Sequence, residues 1–155
     1  MQSHATYMHQ CIQLGEEALT KGNPPVGCIL VWEGTPIATG IENGRASGDV
    51  TQHAELLAIQ EAVAKGHRDK LPQSTLYSTH EPCVMCAYPI RQYKIPTLVY
   101  SLGVAELGGH TSPWDLLTTE TIPKWGQAPE IISGILTKEV EILNQKFQDL
   151  VRAKD

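Results

Sequence analysis

The chain has 155 residues, 41% hydrophobic and 19% charged, with a net charge of −5 at pH 7. That is long enough to bury a core without covalent help, and four cysteines make no disulfide scaffold. The acidic balance argues against broad, nonspecific nucleic-acid binding, and no apolar run approaches the roughly 20 residues that span a bilayer.

The N-terminal "MQSHATYMHQCIQLGEEAL" lacks the basic and apolar regions of a signal peptide, so a soluble, cytoplasmic protein is expected. From about Ser3 to Lys21 the apolar positions Tyr7, Met8, Cys11, Ile12, Leu14, Ala18 and Leu19 recur at helical spacing, and "KGNPP" ends that helix. "VGCILVW" (26–32) and "TPIATGI" (35–41) flank a Glu33-Gly34 turn and read as a hairpin. "AELLAIQEAVAK" (54–65) is a helix, "STLYST" (74–79) a strand, 83 to about 92 a helix, and "TLVYSL" (97–102) a strand. "EIISGIL" (130–136) reads as a last strand and 138–153 as a last helix. With no repeat, low-complexity tract or linker, 1–155 is expected to be one domain of the α/β class. Its order predicts a mixed sheet of about five strands with helices on both faces.

The stretch "STHEPCVMC" sets Cys83 and Cys86 three apart, directly after Pro82. Such a pair has three readings: half of a structural zinc site, a redox dithiol, or two ligands of a catalytic zinc. Upstream, "TQHAELLAI" places His53 and Glu55 at the opening of another helix. Two parallel helix N-termini can face one cleft beyond the strand ends, where ligands commonly bind in open α/β sheets. One imidazole and two thiolates then supply three ligands to a tetrahedral zinc and leave a place for water. The helix start favours the thiolate form, and Pro82 suits that position because its missing N–H is not needed there. A carboxylate beside such a water, but not on the metal, can take its proton and return it to a leaving group.

The pattern H-x-E followed by P-C-x-x-C marks zinc deaminases acting on bases, and "HAE" with "EPCVMC" resembles the cytidine deaminase-like superfamily. The resemblance covers nearly the whole chain. "PPVGCILV" is similar to the family's first strand, "HAELLAI" to its first catalytic helix and "TLYSTHEPCVMCAYPI" to its second. "GGHTSPWDLL" and "ISGIL" resemble later segments of the branch holding bacterial tRNA adenosine deaminases, guanine deaminases and fungal-type cytosine deaminases. The resemblance implies a three-layer α-β-α sandwich, one zinc per chain on His53, Cys83 and Cys86, and Glu55 as the proton shuttle of a hydrolytic deamination that releases ammonia. It also implies Asn43 as a base-binding amide, since the family usually carries an asparagine ahead of H-x-E. Here Asn43 stands about one residue nearer to His53 than usual. Ala54, His80 and Trp114 are the other substrate contacts expected, and a homodimer is implied, with Tyr88, Ile90 and Tyr93 available for its interface.

A structural zinc would normally close with four protein ligands, and Cys11 and Cys28 read as core. A redox dithiol would leave "HAE" idle. The substrate expected is a small aminated base or nucleoside, with tRNA adenosine the alternative. Against tRNA, Lys138, Lys146, Arg152 and Lys154 of the last helix are balanced by Glu139, Glu141, Asp149 and Asp155.

Overall fold

The computed structural model describes residues 2–154. The first helix, α1 (His4–Thr20), is capped by the Ser3 hydroxyl, which accepts the Thr6 N–H. β1 (Gly27–Trp32) and β2 (Thr35–Ile41) form the hairpin, with Glu33 and Gly34 both at positive φ (48° and 77°). Two successive left-handed residues match the twist of paired strands. A short helix α2 (Gly44–Ser47) and then α3 (Ala54–Ala64) follow, with β3 (Ser74–His80), α4 (Val84–Gln92), β4 (Thr97–Leu102), β5 (Glu130–Ile132) and α5 (Thr137–Lys154) completing the order.

The sheet order is β2-β1-β3-β4-β5. β1 is antiparallel to β2 and β3, whereas β3, β4 and β5 run parallel. The expected mixed five-stranded α-β-α fold is therefore present. On one face α1 and α5 bury Tyr7, Met8, Cys11, Val140 and Leu143 against Ile29, Tyr77 and Val99. On the other, α3 and α4 bury Ala54, Ala58, Ile59, Ala87 and Ile90 against Cys28, Leu30, Leu76 and Leu98. Cys11 and Cys28 are both fully buried, one in each core.

The final strand is shorter than the pattern suggests. Pairing with β4 stops at Ile132, and Gly134 (φ 83°) turns the chain so that its N–H reaches the Ser101 carbonyl before α5 begins. The periodicity of "EIISGIL" thus spans a strand and a turn. α3 packs closely on β2: a Cβ on Gly40 would lie 1.9 Å from the Ala54 carbonyl oxygen. A glycine is needed there because the first turn of α3 sits almost on the strand backbone. Among the described residues, no helix is long and apolar enough to cross a membrane.

Candidate active site

His53 and Cys83 occupy equivalent positions. Each is the N-cap of its helix, with extended backbone (φ −80°, ψ 146° and φ −77°, ψ 176°), and neither spends its side chain on a capping hydrogen bond. Both side chains turn instead into the space between the starts of α3 and α4. His53 Nδ1 lies 3.4 Å from Cys83 Sγ and 3.8 Å from Cys86 Sγ. All three ligand atoms fall within 4.8 Å of one another. Imidazole nitrogen and thiolate sulfur on one tetrahedral zinc would stand about 3.6 Å apart, given ordinary bond lengths. The measured separations bracket that value, and the soft donor set suits zinc.

Within this trio each group shifts the proton affinity of the others. Hydrogen bonding from the Cys86 thiol, then from His53, pushes Cys83 down to about 4 despite burial. Its hydrogen bond to Cys83, and then burial, push Cys86 up. The same Cys83 sulfur, against the effect of burial, raises His53 to about 9.

Glu55, one residue into α3, is 3% exposed. Its Oε1 accepts the Ser78 hydroxyl at 2.7 Å, and its Oε2 lies 3.8 Å from Cys86 Sγ. Burial raises its carboxyl to about 7, opposed mainly by the Ser78 hydrogen bond. The carboxylate therefore borders the metal trio from the sheet side.

These groups open onto a cavity of about 240 Å3 lined by Pro24, Val26, Glu42, His53, Glu55, His80, Glu81, Cys83 and Val104. His80 sits in its wall with both ring nitrogens engaged: Nδ1 at 2.8 Å from the Thr79 hydroxyl and Nε2 at 2.8 Å from Asn144 Oδ1 of α5. Ala54 is fully buried in the first turn of α3. Asn43 is placed elsewhere. Its amide donates to Gln52 Oε1 (2.8 Å) and accepts from Asn23 Nδ2 (3.3 Å), and it borders a neighbouring cavity with Lys21, Gln52 and Leu57. Trp114, 60% exposed, lies with Val84, Leu107 and Pro113 around a third cavity, outside the zinc pocket. Trp125 packs on Tyr88 and Arg91.

Two residues of the site were assigned no role from the sequence. Glu42 lines the cavity at 7% exposure, one position before Asn43. Strand alternation was the signal for it: Ala38, Gly40 and Glu42 share the face of β2 that lies under α3. Glu81 is the other. Its carboxylate accepts the N–H groups of Val104, His110 and Thr111 and the Thr111 hydroxyl, so the loop after β4 is laced to the start of α4. Gly108 must be glycine in this lacing, since a Cβ there would lie 2.0 Å from Glu81 Oε2.

A His/Cys/Cys metal trio at two helix mouths of a mixed five-stranded sheet, with a buried carboxylate beside it, defines the zinc-deaminase class of active site. Residues 1–102 match the family model described as "Cytidine and deoxycytidylate deaminase zinc-binding region". The chain is 33% identical to tRNA-specific adenosine deaminase 2 of Xenopus tropicalis over 149 residues, covering 92% of this chain and 87% of that one. It superposes on a chain from structural studies of A-to-I editing by tRNA:A34 deaminases at the wobble position of transfer RNA, with a TM-score of 0.78 and 30% identity over 89% of this chain and 98% of that one. It is also similar to guanine deaminase from Bacillus subtilis, with a TM-score of 0.60 and 31% identity over 66% of each chain. The chain belongs to the cytidine and deoxycytidylate deaminase zinc-binding family, in the branch of tRNA adenosine deaminases and guanine deaminases. It is a zinc-dependent aminohydrolase, and His53, Cys83 and Cys86 are its zinc ligands.

Proposed function

We propose that this enzyme deaminates adenosine within tRNA to inosine, with Glu55 moving the protons. The observation that carries this reading is similarity to tRNA adenosine deaminases along 89–92% of the chain, far more than the zinc motifs alone occupy. Zinc on the trio supplies a Lewis acid that brings a water's pKa toward neutrality. Glu55 borders that position with a buried carboxyl held by Ser78, suited to accept a proton from water and to deliver protons to the ring nitrogen and the departing amine. Water adds oxygen at the amino-bearing carbon, the C–N bond breaks, and ammonia leaves. Ser78 orients the carboxylate, while Pro24, Val26 and Val104 give the base an apolar seat.

A second reading is favoured by a specific observation. The cavity is walled by Glu42, an acidic side chain, and the chain is acidic overall, which suits a small free base held without phosphate contacts. The similarity to a guanine deaminase, at 31% identity over 66% of each chain, is consistent with it. An assay of inosine and ammonia release tests both, using an anticodon stem–loop with adenosine at the wobble position beside free adenine, guanine, cytosine and their nucleosides. Turnover of the stem–loop alone, falling as salt rises, is the expected result. Turnover of a free base with an inert stem–loop would replace the tRNA reading with the second.

A further inference from the structure

Two carboxyl groups in the cavity wall belong to neither the metal trio nor the proton shuttle; Glu81 is satisfied by the loop after β4, whereas Glu42 is not. It sits just past β2, where its own N–H still pairs with the Val26 carbonyl at 3.0 Å, extending the strand by one residue. That register points its side chain, like Ala38 and Gly40, toward α3 and the cavity. One carboxylate oxygen, Oε2, accepts the Gly44 N–H at 3.1 Å, and no side chain donates to either oxygen. Among the described residues, no lysine or arginine lies within ion-pairing distance of it. Gly44 is placed so close that a Cβ would lie 2.9 Å from Oε2, so the backbone itself holds the carboxylate in position. The neighbouring amides Asn23, Asn43 and Gln52 brace this loop from behind, the Asn23 Oδ1 accepting the Ala46 N–H at 2.8 Å.

A buried carboxyl whose hydrogen bonds come from backbone N–H groups alone keeps spare acceptor capacity, which a donor arriving beside it would satisfy. The donor has to come from the cavity, which is the space for the base. We infer that Glu42 is a specificity-determining residue of this deaminase, accepting a hydrogen bond from an N–H or O–H of the substrate on the side of the cavity formed by the end of β2. An asparagine amide brings its own N–H donors, whereas the carboxyl oxygens of Glu42 present acceptors without an N–H, so substrates lacking a donor there are disfavoured. The inference rests on the deaminase activity of this pocket, not on the choice of tRNA. Two substrate sources carry the required chemistry: the ring N–H of a free base at the nitrogen that a nucleoside uses for its ribose, and the 2′-hydroxyl of a ribonucleotide.

The test uses the zinc-loaded full chain and two matched pairs: guanine against 9-methylguanine, and an anticodon stem–loop with adenosine against 2′-deoxyadenosine at the reacting position. kcat/KM is measured by ammonia release and Kd by calorimetry, for the wild type, Glu42→Gln and Glu42→Leu. A hydrogen bond to a charged group predicts a preference of about 10- to 100-fold for the donor-bearing member of one pair. Which pair shows it identifies the source, and an inert stem–loop alongside a discriminating guanine pair would end the tRNA reading while leaving Glu42 its role. In Glu42→Gln the preference should shrink, and in Glu42→Leu it should fall to about onefold, with zinc content unchanged. Equal kcat/KM and Kd for both members of both pairs in the wild type would overturn the inference. So would loss of zinc, or an equal fall in kcat for every substrate in Glu42→Gln, since Glu42 would then be orienting His53.

Discussion

The Ser78 hydroxyl donates to Glu55 Oε1 at 2.7 Å, joining the middle strand β3 to the first turn of α3. Both groups are buried, Ser78 completely, so no water can replace the hydroxyl without rearrangement. Ser78→Ala is expected to keep zinc but lower kcat about 10- to 100-fold, because the carboxylate loses the bond that sets its orientation. The loss of a hydrogen bond to a charged group should also cost about 1.5–3 kcal/mol of stability. Steady-state kinetics with metal analysis and denaturant unfolding check the two effects separately.

Glu55→Gln preserves shape and the Ser78 contact but cannot move a proton. Turnover should fall by about two to four orders of magnitude, the scale of general acid–base catalysis. Zinc stoichiometry should stay at one per chain, since Glu55 stands beside the trio and not in it. Metal loss in parallel with activity would make Glu55 a ligand.

Zinc uptake should release protons. At pH 7 the metal-free trio carries the His53 proton, held up to about 9 chiefly by Cys83, and the Cys86 thiol proton, while Cys83 is already ionised. Binding needs a neutral imidazole and two thiolates, so about two protons should appear per zinc, and apparent affinity should rise with pH through the neutral range. Titration of the apo protein in dilute buffer with a pH indicator reads the count. Cys83→Ser and Cys86→Ser should each release the metal.

Stability toward acid should depend on Glu81. Burial opposes its ionisation, but the Thr111 hydroxyl and the N–H groups of Thr111, Val104 and His110 outweigh it and hold the carboxyl below its ordinary value of 4.5. A depressed folded-state pKa gives stability that is present above pH 4.5 and lost as pH falls through the lower folded value. Glu81→Gln should therefore lower Tm at neutral pH and flatten its decline below about pH 4.5. Thermal melts of both proteins across pH 3–7 would show the two curves converging at the acid end. Parallel curves would rule out the ionised carboxylate as the source of that stability.

The zinc ligands and Glu55 were legible in the sequence because their chemistry is local. Each motif lies within one helix start, where a few residues define the direction of the side chains, and His/Cys/Cys with an adjacent carboxylate has few other uses. The order of strands and helices was legible for the same reason, as hydrophobic period and Gly/Pro breaks act over one element at a time. The substrate side of the pocket was not. Strand alternation puts Glu42 on the α3 face of β2, but it takes the Glu42–Val26 backbone pairing and the Asn23–Asn43–Gln52 amides to set the carboxyl in the wall of the zinc pocket and Asn43 in the wall of the cavity beside it. Trp114 likewise lies where the long loop after β4 carries it, and the path of that loop is set by Glu81 and Arg91 gathering backbone groups from residues 104–126. Which side chains gather at the zinc site was a property of local sequence; which others line the cavity beside it depended on contacts between segments far apart in the chain, and those exist only once the sheet and its loops have closed.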